Sequence, residues 1–187
     1  MRPMDARRLL AVAAVVVAFA TAATDPPVQP PSVSDEDIAL LRARALAVPV
    51  LGVARADLHD SFDDPRGARR HQGLDVPASA WTPVVAVDDG TIAQLFVSVA
   101  GGITVYQFDP TKTYAYYYAH LDRWAVGLHQ GQPVQRGDVI GYVGTTGNAG
   151  ETAHLHFEIA KLGSAKRWWE GTPINPYLVL RNATPSD

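Results

Sequence analysis

The sequence predicts a mainly β domain, an antiparallel β sandwich or partly closed barrel, with one helix on its N-terminal side. Three observations carry that expectation. Glycine and proline are abundant, 15 and 14 of 187 residues, which favours turns and short strands over long helices. From Pro49 onward, short apolar or alternating runs recur with turn signals between them and no helical periodicity intervening. The alternation is clearest in His154-Leu155-His156-Phe157-Glu158-Ile159, a strand pattern with both histidines and Glu158 on one face and the three apolar side chains on the other.

Residues 1–22 read as a secretory signal peptide. Arg2, Arg7 and Arg8 form a basic start, residues 9–20 are an unbroken apolar run, and Ala20-Thr21-Ala22 fits a small-x-small cleavage site. The run is shorter than the roughly 18 to 20 apolar residues that span a bilayer. Cleavage after Ala22 is therefore expected, giving an exported protein of the periplasm or cell envelope with no stable membrane span. Residues 23–34 are a proline-rich linker. A helical segment follows over 35–48. Ser34 is its N-cap, Asp35, Glu36 and Asp37 are acids in its first turn, and Ile38, Leu41 and Leu46 form its apolar face. The helix ends by Ala47, because Val48 precedes a proline and is pushed out of the α region.

The remaining 49–187 form one domain. Residues 50–53 are a short apolar run and 58–70 a charged, turn-rich loop. Strands are expected at 83–87, 91–99, 103–108, 114–121, 139–143 and 154–160, with Asp89-Gly90 as a hairpin turn. The tail from Trp168 is irregular, and the pair Trp168-Trp169 reads as cover for one end of the core.

The formal charge is −3, and it becomes more negative once the arginine-rich leader is removed. No cluster of lysine and arginine suits a phosphate backbone, and the run 66–70 is too short to be one, so nucleic acid is excluded as a partner. Absence of cysteine rules out a disulfide framework and a lipid-modified cysteine. The oligomeric state is not encoded in any pattern of this kind.

Histidines carry the chemistry. His71 and Asp75 stand four residues apart, about 13 Å in a straight strand, so they reach one ion only if the segment bends, and Gly73 supplies that freedom. Without an ion, Asp75 would serve simply as an acceptor for loop backbone. Tyr114, Tyr116, Tyr118 and His120 alternate along a strand, which puts a third histidine segment on one face with the tyrosines. A catalytic zinc site needs three protein ligands and one open position, and these three segments supply enough candidates. The residues alone do not choose between His154 and His156 as ligand. Glu158, on the same strand face, is a competing base that points more naturally to a supporting position. No His-Glu-x-x-His helix is present. His59 and His129 fit no part of the pattern and read as surface residues.

Taken together, His71-x-x-x-Asp75, Tyr118-Ala119-His120-Leu121 and His154-x-His156 resemble the lysostaphin and LytM type of zinc endopeptidase, which cuts peptides in bacterial peptidoglycan. Thr82-Pro83-Val84, Gly90, Gly137-Asp138-Val139-Ile140-Gly141 and Thr146-Gly147-Asn148 look like the segments that frame those motifs, and the likeness covers roughly residues 49–177. The resemblance implies a fold of the duplicated hybrid motif type and one Zn2+ held by His71, Asp75 and His156. It also implies His120 and His154 as the proton-handling and oxyanion-stabilising pair, and peptidoglycan peptides as substrate. One departure is Trp81, where the family commonly has glycine; it puts the local turn shape in question. A second class of relative, the non-catalytic activators of cell-wall amidases, usually lacks some of the zinc ligands, and this chain lacks none. The stretch 137–143 also looks like part of biotinyl and lipoyl carrier domains. That reading requires a modifiable lysine at a hairpin tip, a setting none of Lys112, Lys161 and Lys166 convincingly has.

Overall fold

The computed structural model describes residues 30–181. The expected signal peptide and most of the linker lie outside the described residues. Among those described, no helix is long and apolar enough to cross a membrane.

Helix α1 (Asp35–Ala43) starts where the sequence places it. Ser34 accepts from the Asp37 amide, and the Asp37 carboxylate accepts from the Ser34 amide at 2.8 Å, a reciprocal capping box. The helix ends earlier than expected. Ala45 adopts φ 50, so the chain turns out of the helix before Pro49 is reached. The buried Leu41 faces the core. Asp37 also accepts from the Tyr114 hydroxyl at 2.8 Å and pairs with Lys161 Nζ at 2.9 Å, which ties the helix to the sheet. Burial alone would raise the Asp37 carboxyl, but these donors outweigh it and hold it down at about 2.

A 3₁₀ turn (Arg55–Asp57) leads into the segment expected to be a loop. That segment contains a small hairpin, β1 (Pro65–Arg66) paired with β2 (Arg69–Arg70). Its strands are too short and too polar to carry an alternation signal. The remaining strands are β3 (Leu74–Pro77), β4 (Pro83–Val85), β5 (Gly90–Ser98), β6 (Gly102–Phe108), β7 (Tyr114–Trp124), β8 (Pro133–Val134), β9 (Val139–Val143), β10 (His154–Leu162) and β11 (Gly171–Ile174). Helix α2 (Pro176–Leu180) closes the described chain. The tail is thus more ordered than its sequence suggests. Asn175 caps α2, Pro176 opens it, and Val179 and Leu180 are buried.

All pairings are antiparallel, and the main sheet has nine strands in an open path, β11-β10-β7-β6-β5-β8, with β3 beside β10 and β9 bridging β4 to β7. The mainly β, antiparallel expectation holds, and the sheet is not closed. β10 is central: its first half lies between β3 and β7, and its second half between β11 and β7. Leu155, Phe157 and Ile159 are completely buried, in register with the core-facing Tyr116 and Tyr118 of β7. The hydroxyls of those tyrosines are satisfied, Tyr116 donating to Asp88 at 2.8 Å and Tyr118 to Gln107 at 2.7 Å.

Trp81 has an unusual backbone at this position. It sits at φ 68, the left-handed region where a glycine costs nothing, and its amide still donates to the Val143 carbonyl at 2.8 Å. The tryptophan takes the left-handed backbone that glycine favours and bears the strain. Because the indole is 64% exposed, Trp81→Gly loses little packing and is expected to raise stability by up to about 1 kcal/mol, seen as a higher denaturant midpoint. Lys112 proves to lie in the turn between β6 and β7, so a lysine does occupy a hairpin tip, whereas the carrier-like stretch 137–143 forms β9 and the turn before it.

Candidate metal centre

Five side chains named by the sequence meet in one groove of about 490 Å3. β10 presents His154 and His156 to it by simple alternation, and β3 runs alongside with Asp75 opposite His156 in register. His71 arrives from the segment before β3. The bend that brings it to Asp75 is made at Gln72, with φ 62, and not at Gly73 as the sequence suggested. Gly73 has a different task. A Cβ there would lie 2.4 Å from His156 Cε1 and 2.8 Å from its Nε2, so only glycine leaves room for the ring. His59 and His129 are exposed and stand outside the groove, as expected.

His120 is where strand alternation misleads. Strict alternation puts it with Tyr116 and Tyr118, which are core residues. At φ 61 it forms a bulge instead: its amide bonds the Gly101 carbonyl at 2.8 Å, and the register with β6 shifts between Ile103 and Val105. The bulge moves His120 to the face of Tyr117 and Ala119, the residues that pair with Glu158 and His156 across the sheet. Its ring is then 5.0 Å from His154 and 5.8 Å from His156, centroid to centroid.

Each histidine is anchored by one nitrogen and presents the other to the groove. His71 Nδ1 donates to the Ser61 carbonyl at 2.9 Å, His120 Nδ1 to Thr146 at 2.9 Å and His154 Nδ1 to Thr152 at 2.8 Å. His156 is held the other way round, with Nε2 donating to Glu158 at 2.7 Å and Nδ1 facing inward. Glu158 is therefore the residue that orients His156, the supporting position its sequence setting indicated. Seryl and threonyl carbonyls carry no sequence signal for this task, so Ser61, Thr146 and Thr152 were not legible.

Three inward atoms converge. His71 Nε2 lies 2.8 Å from His156 Nδ1 and 2.9 Å from Asp75 Oδ1, and His156 Nδ1 lies 3.1 Å from the same oxygen. Tetrahedral ligands at the distances usual for zinc are separated by about 3.3 Å, so this triangle has the size and the donor set of one face of such a site. Among the described residues, this is the group able to hold a metal ion. Carboxylate-to-imidazole support of the kind Glu158 gives His156 is a general feature of metal-ligating histidines.

Charges fit the same use. Burial would raise the Asp75 carboxyl, but hydrogen bonds from His156 and His71 outweigh it and hold the group well below the ordinary carboxylate range. Arg66 Nη2 contacts the other Asp75 oxygen at 2.6 Å. Burial opposes protonation of His156 as well, yet Asp75 and Glu158 together push it up to about 9 in the metal-free protein. Burial is the main influence on His120 and lowers its pKa, so its ring is neutral and able to accept a proton at neutral pH.

The snug fit at Gly73 sets a sharp test. Gly73→Ala is expected to displace the His156 ring while leaving the β3–β10 pairing intact. Zinc affinity should fall about 10–100-fold, the range typical when the support of a ligand is disturbed, as read by competition with a chelating dye.

A groove with a His-Asp-His face and two further anchored imidazoles is equipment for metal-assisted hydrolysis. Comparison with known proteins narrows that class. The model of Peptidase family M23 matches residues 69–176, more than half of the chain, and the chain belongs to this family. The L-Ala--D-Glu endopeptidase of Bacillus subtilis is 34% identical over 121 residues, 62% of this chain and 36% of that protein. A putative glycyl-glycine endopeptidase lytM from Ruminococcus gnavus superposes with a TM-score of 0.58 at 34% identity, covering 68% of this chain and 53% of the other. A zinc containing peptidase from Vibrio cholerae gives 0.50 at 25% identity, covering 64% and 34%. The chain thus spans little more than a third of the length of that curated relative. The lysostaphin/LytM-type resemblance of the motifs is upheld.

Proposed function

We propose that this protein is an exported zinc-dependent endopeptidase that hydrolyses peptide bonds in bacterial peptidoglycan. The observation that carries the reading is the triangle of His71 Nε2, His156 Nδ1 and Asp75 Oδ1, with separations of 2.8 to 3.1 Å and both imidazoles oriented by acceptors on their far side. When bound there, zinc supplies Lewis acidity: it lowers the pKa of water from 15.7 to about 7 and polarises the scissile carbonyl.

The protein's own residues do the rest. His71, Asp75 and His156 hold the ion, and Glu158 fixes the tautomer of His156. His120 and His154 stand beside them with Nδ1–H groups tied to carbonyls, which leaves each Nε2 free to exchange a proton with the groove. One takes the proton of the attacking water and passes it to the leaving amine; the other stabilises the negative charge that develops on the carbonyl oxygen. Export is supported by the basic, apolar and small-x-small sequence of residues 1–22, and a peptidoglycan substrate by membership of the family together with the names its relatives carry.

The test is to measure zinc content of the purified protein and to analyse by mass the fragments it releases from defined peptidoglycan. One zinc per chain with released peptide fragments is the expected result, and the fragments name the bond. One zinc with no cleavage would assign the protein to the activators of cell-wall amidases instead.

A further inference from the structure

We propose that Arg69 pairs with a free carboxylate of the substrate beside the scissile bond, making this enzyme selective for acidic stem peptides over neutral bridges. The inference rests on the peptidoglycan-peptide reading and names the substrate class within it. Hairpin β1–β2 places Arg66, Arg69 and Arg70 on one wall of the groove, next to the metal-binding face. Two of the three guanidinium groups are engaged. Arg66 holds Asp75, and Arg70 Nη1 donates to the Asp63 carbonyl at 2.7 Å. Arg69 is exposed and forms no ion pair with any other described residue.

The groove has no acid left over to meet it. Asp75 and Glu158 are the carboxylates that line it, and both are committed to histidines, Asp75 to Arg66 as well. In a chain of net charge −3, the mouth of this one cleft is locally cationic, and a bound divalent ion adds to that. The hairpin register makes the arrangement costly on its own account. Arg66 and Arg69 are directly opposed, and like charges across a strand pair repel. Asp75 offsets one of them, and a ligand carboxylate is the natural partner for the other. The planar guanidinium fork matches a carboxylate with two parallel hydrogen bonds, a fit that no backbone amide of a glycine bridge reproduces.

The experiment uses two synthetic stem peptides identical except that the free carboxylate of the glutamyl residue is a carboxamide in one. The zinc-loaded protein should cleave the acid peptide with kcat/KM about 10-fold or more above the amide, the value of a charge-assisted hydrogen bond. Arg69→Ala should bring the two within about 2-fold, through loss on the acid peptide alone, and Arg69→Lys should retain part of the preference. Equal cleavage by the wild type, or a preference that survives in Arg69→Ala, overturns the assignment. Calorimetric binding of the same pair separates this from the activity itself. Selective binding without turnover overturns the peptidase reading and leaves Arg69 in place, whereas turnover without selectivity does the reverse. If polyphosphate displaces the acid peptide as well as an acid competitor does, and only when Arg69 is present, the hairpin serves a phosphate polymer and the carboxylate assignment falls.

Discussion

Replacing His156 by alanine is expected to empty the metal site and abolish cleavage together. The ring contributes Nδ1 to the three-atom face, and the two other atoms lie 2.8 and 3.1 Å from it, so neither His71 nor Asp75 keeps a second ligand neighbour on that side. The other two imidazoles of the groove are poor substitutes, since their Nδ1 atoms are held by the carbonyls of Thr146 and Thr152. The affinity loss should exceed the roughly 10–100-fold that follows from disturbing an outer-sphere partner. Metal content after dialysis and fragment release from cell walls are the two readouts, and both should fall to background. A variant that keeps stoichiometric zinc would remove His156 from the ligand set.

The same ring gives the metal-free protein a pH dependence whose sign is fixed. Its folded pKa of about 9 is above the unfolded value near 6.5, so protonated His156 stabilises the metal-free fold fully below pH 6.5. That contribution is lost as pH rises through 9. Zinc would need the neutral ring and so should run the other way, its apparent affinity climbing with pH until about 9. Thermal unfolding of chelator-treated and zinc-loaded samples between pH 6 and 10 should show opposite trends.

His154→Ala is expected to have the second large effect and to separate chemistry from binding. His154 Nε2 is 3.8 Å from Asp75 Oδ1, beyond hydrogen-bond reach and outside the compact triangle, and its other nitrogen is held by Thr152. Zinc content should therefore stay near one per chain while kcat falls about 10²–10⁴-fold, the range for loss of a general acid or base. KM should change little. Loss of the metal in this variant would mean that the two histidines of β10 had been given each other's tasks.

The sequence made the ligand-bearing strand legible because β10 obeys a strict period of two: a buried apolar face and a polar histidine face are written directly into residues 154–159. His71 and Asp75 were legible as a pair only through their company in the motif, since the bend at Gln72 has no side-chain signature. His120 shows the limit most clearly. Its residue type marked it, but its face was misassigned, because a bulge depends on the backbone of β6 across the sheet and on Gly101. Short elements such as β1, β2, β8 and α2 were missed for a related reason: two to five residues are too few for periodicity to speak. Trp81 ran the other way, since the family habit of glycine there anticipated the left-handed backbone that the tryptophan adopts.

Because β10 carries His154 and His156 on one side and the fully buried Leu155, Phe157 and Ile159 on the other, those two histidines have no local hinge of their own. The amides in the parts of that strand paired on both edges, 156–157 and 159–161, are expected to exchange with deuterium only on large-scale opening, and those of the exposed hairpin at 65–70 through local fraying. The result is an unequal division of labour within the groove. The histidines of β10 are set by the core of the fold, while the charge at the groove mouth rests on exposed hairpin residues, of which Arg69 is the one that touches neither Asp75 nor the hairpin's own backbone support.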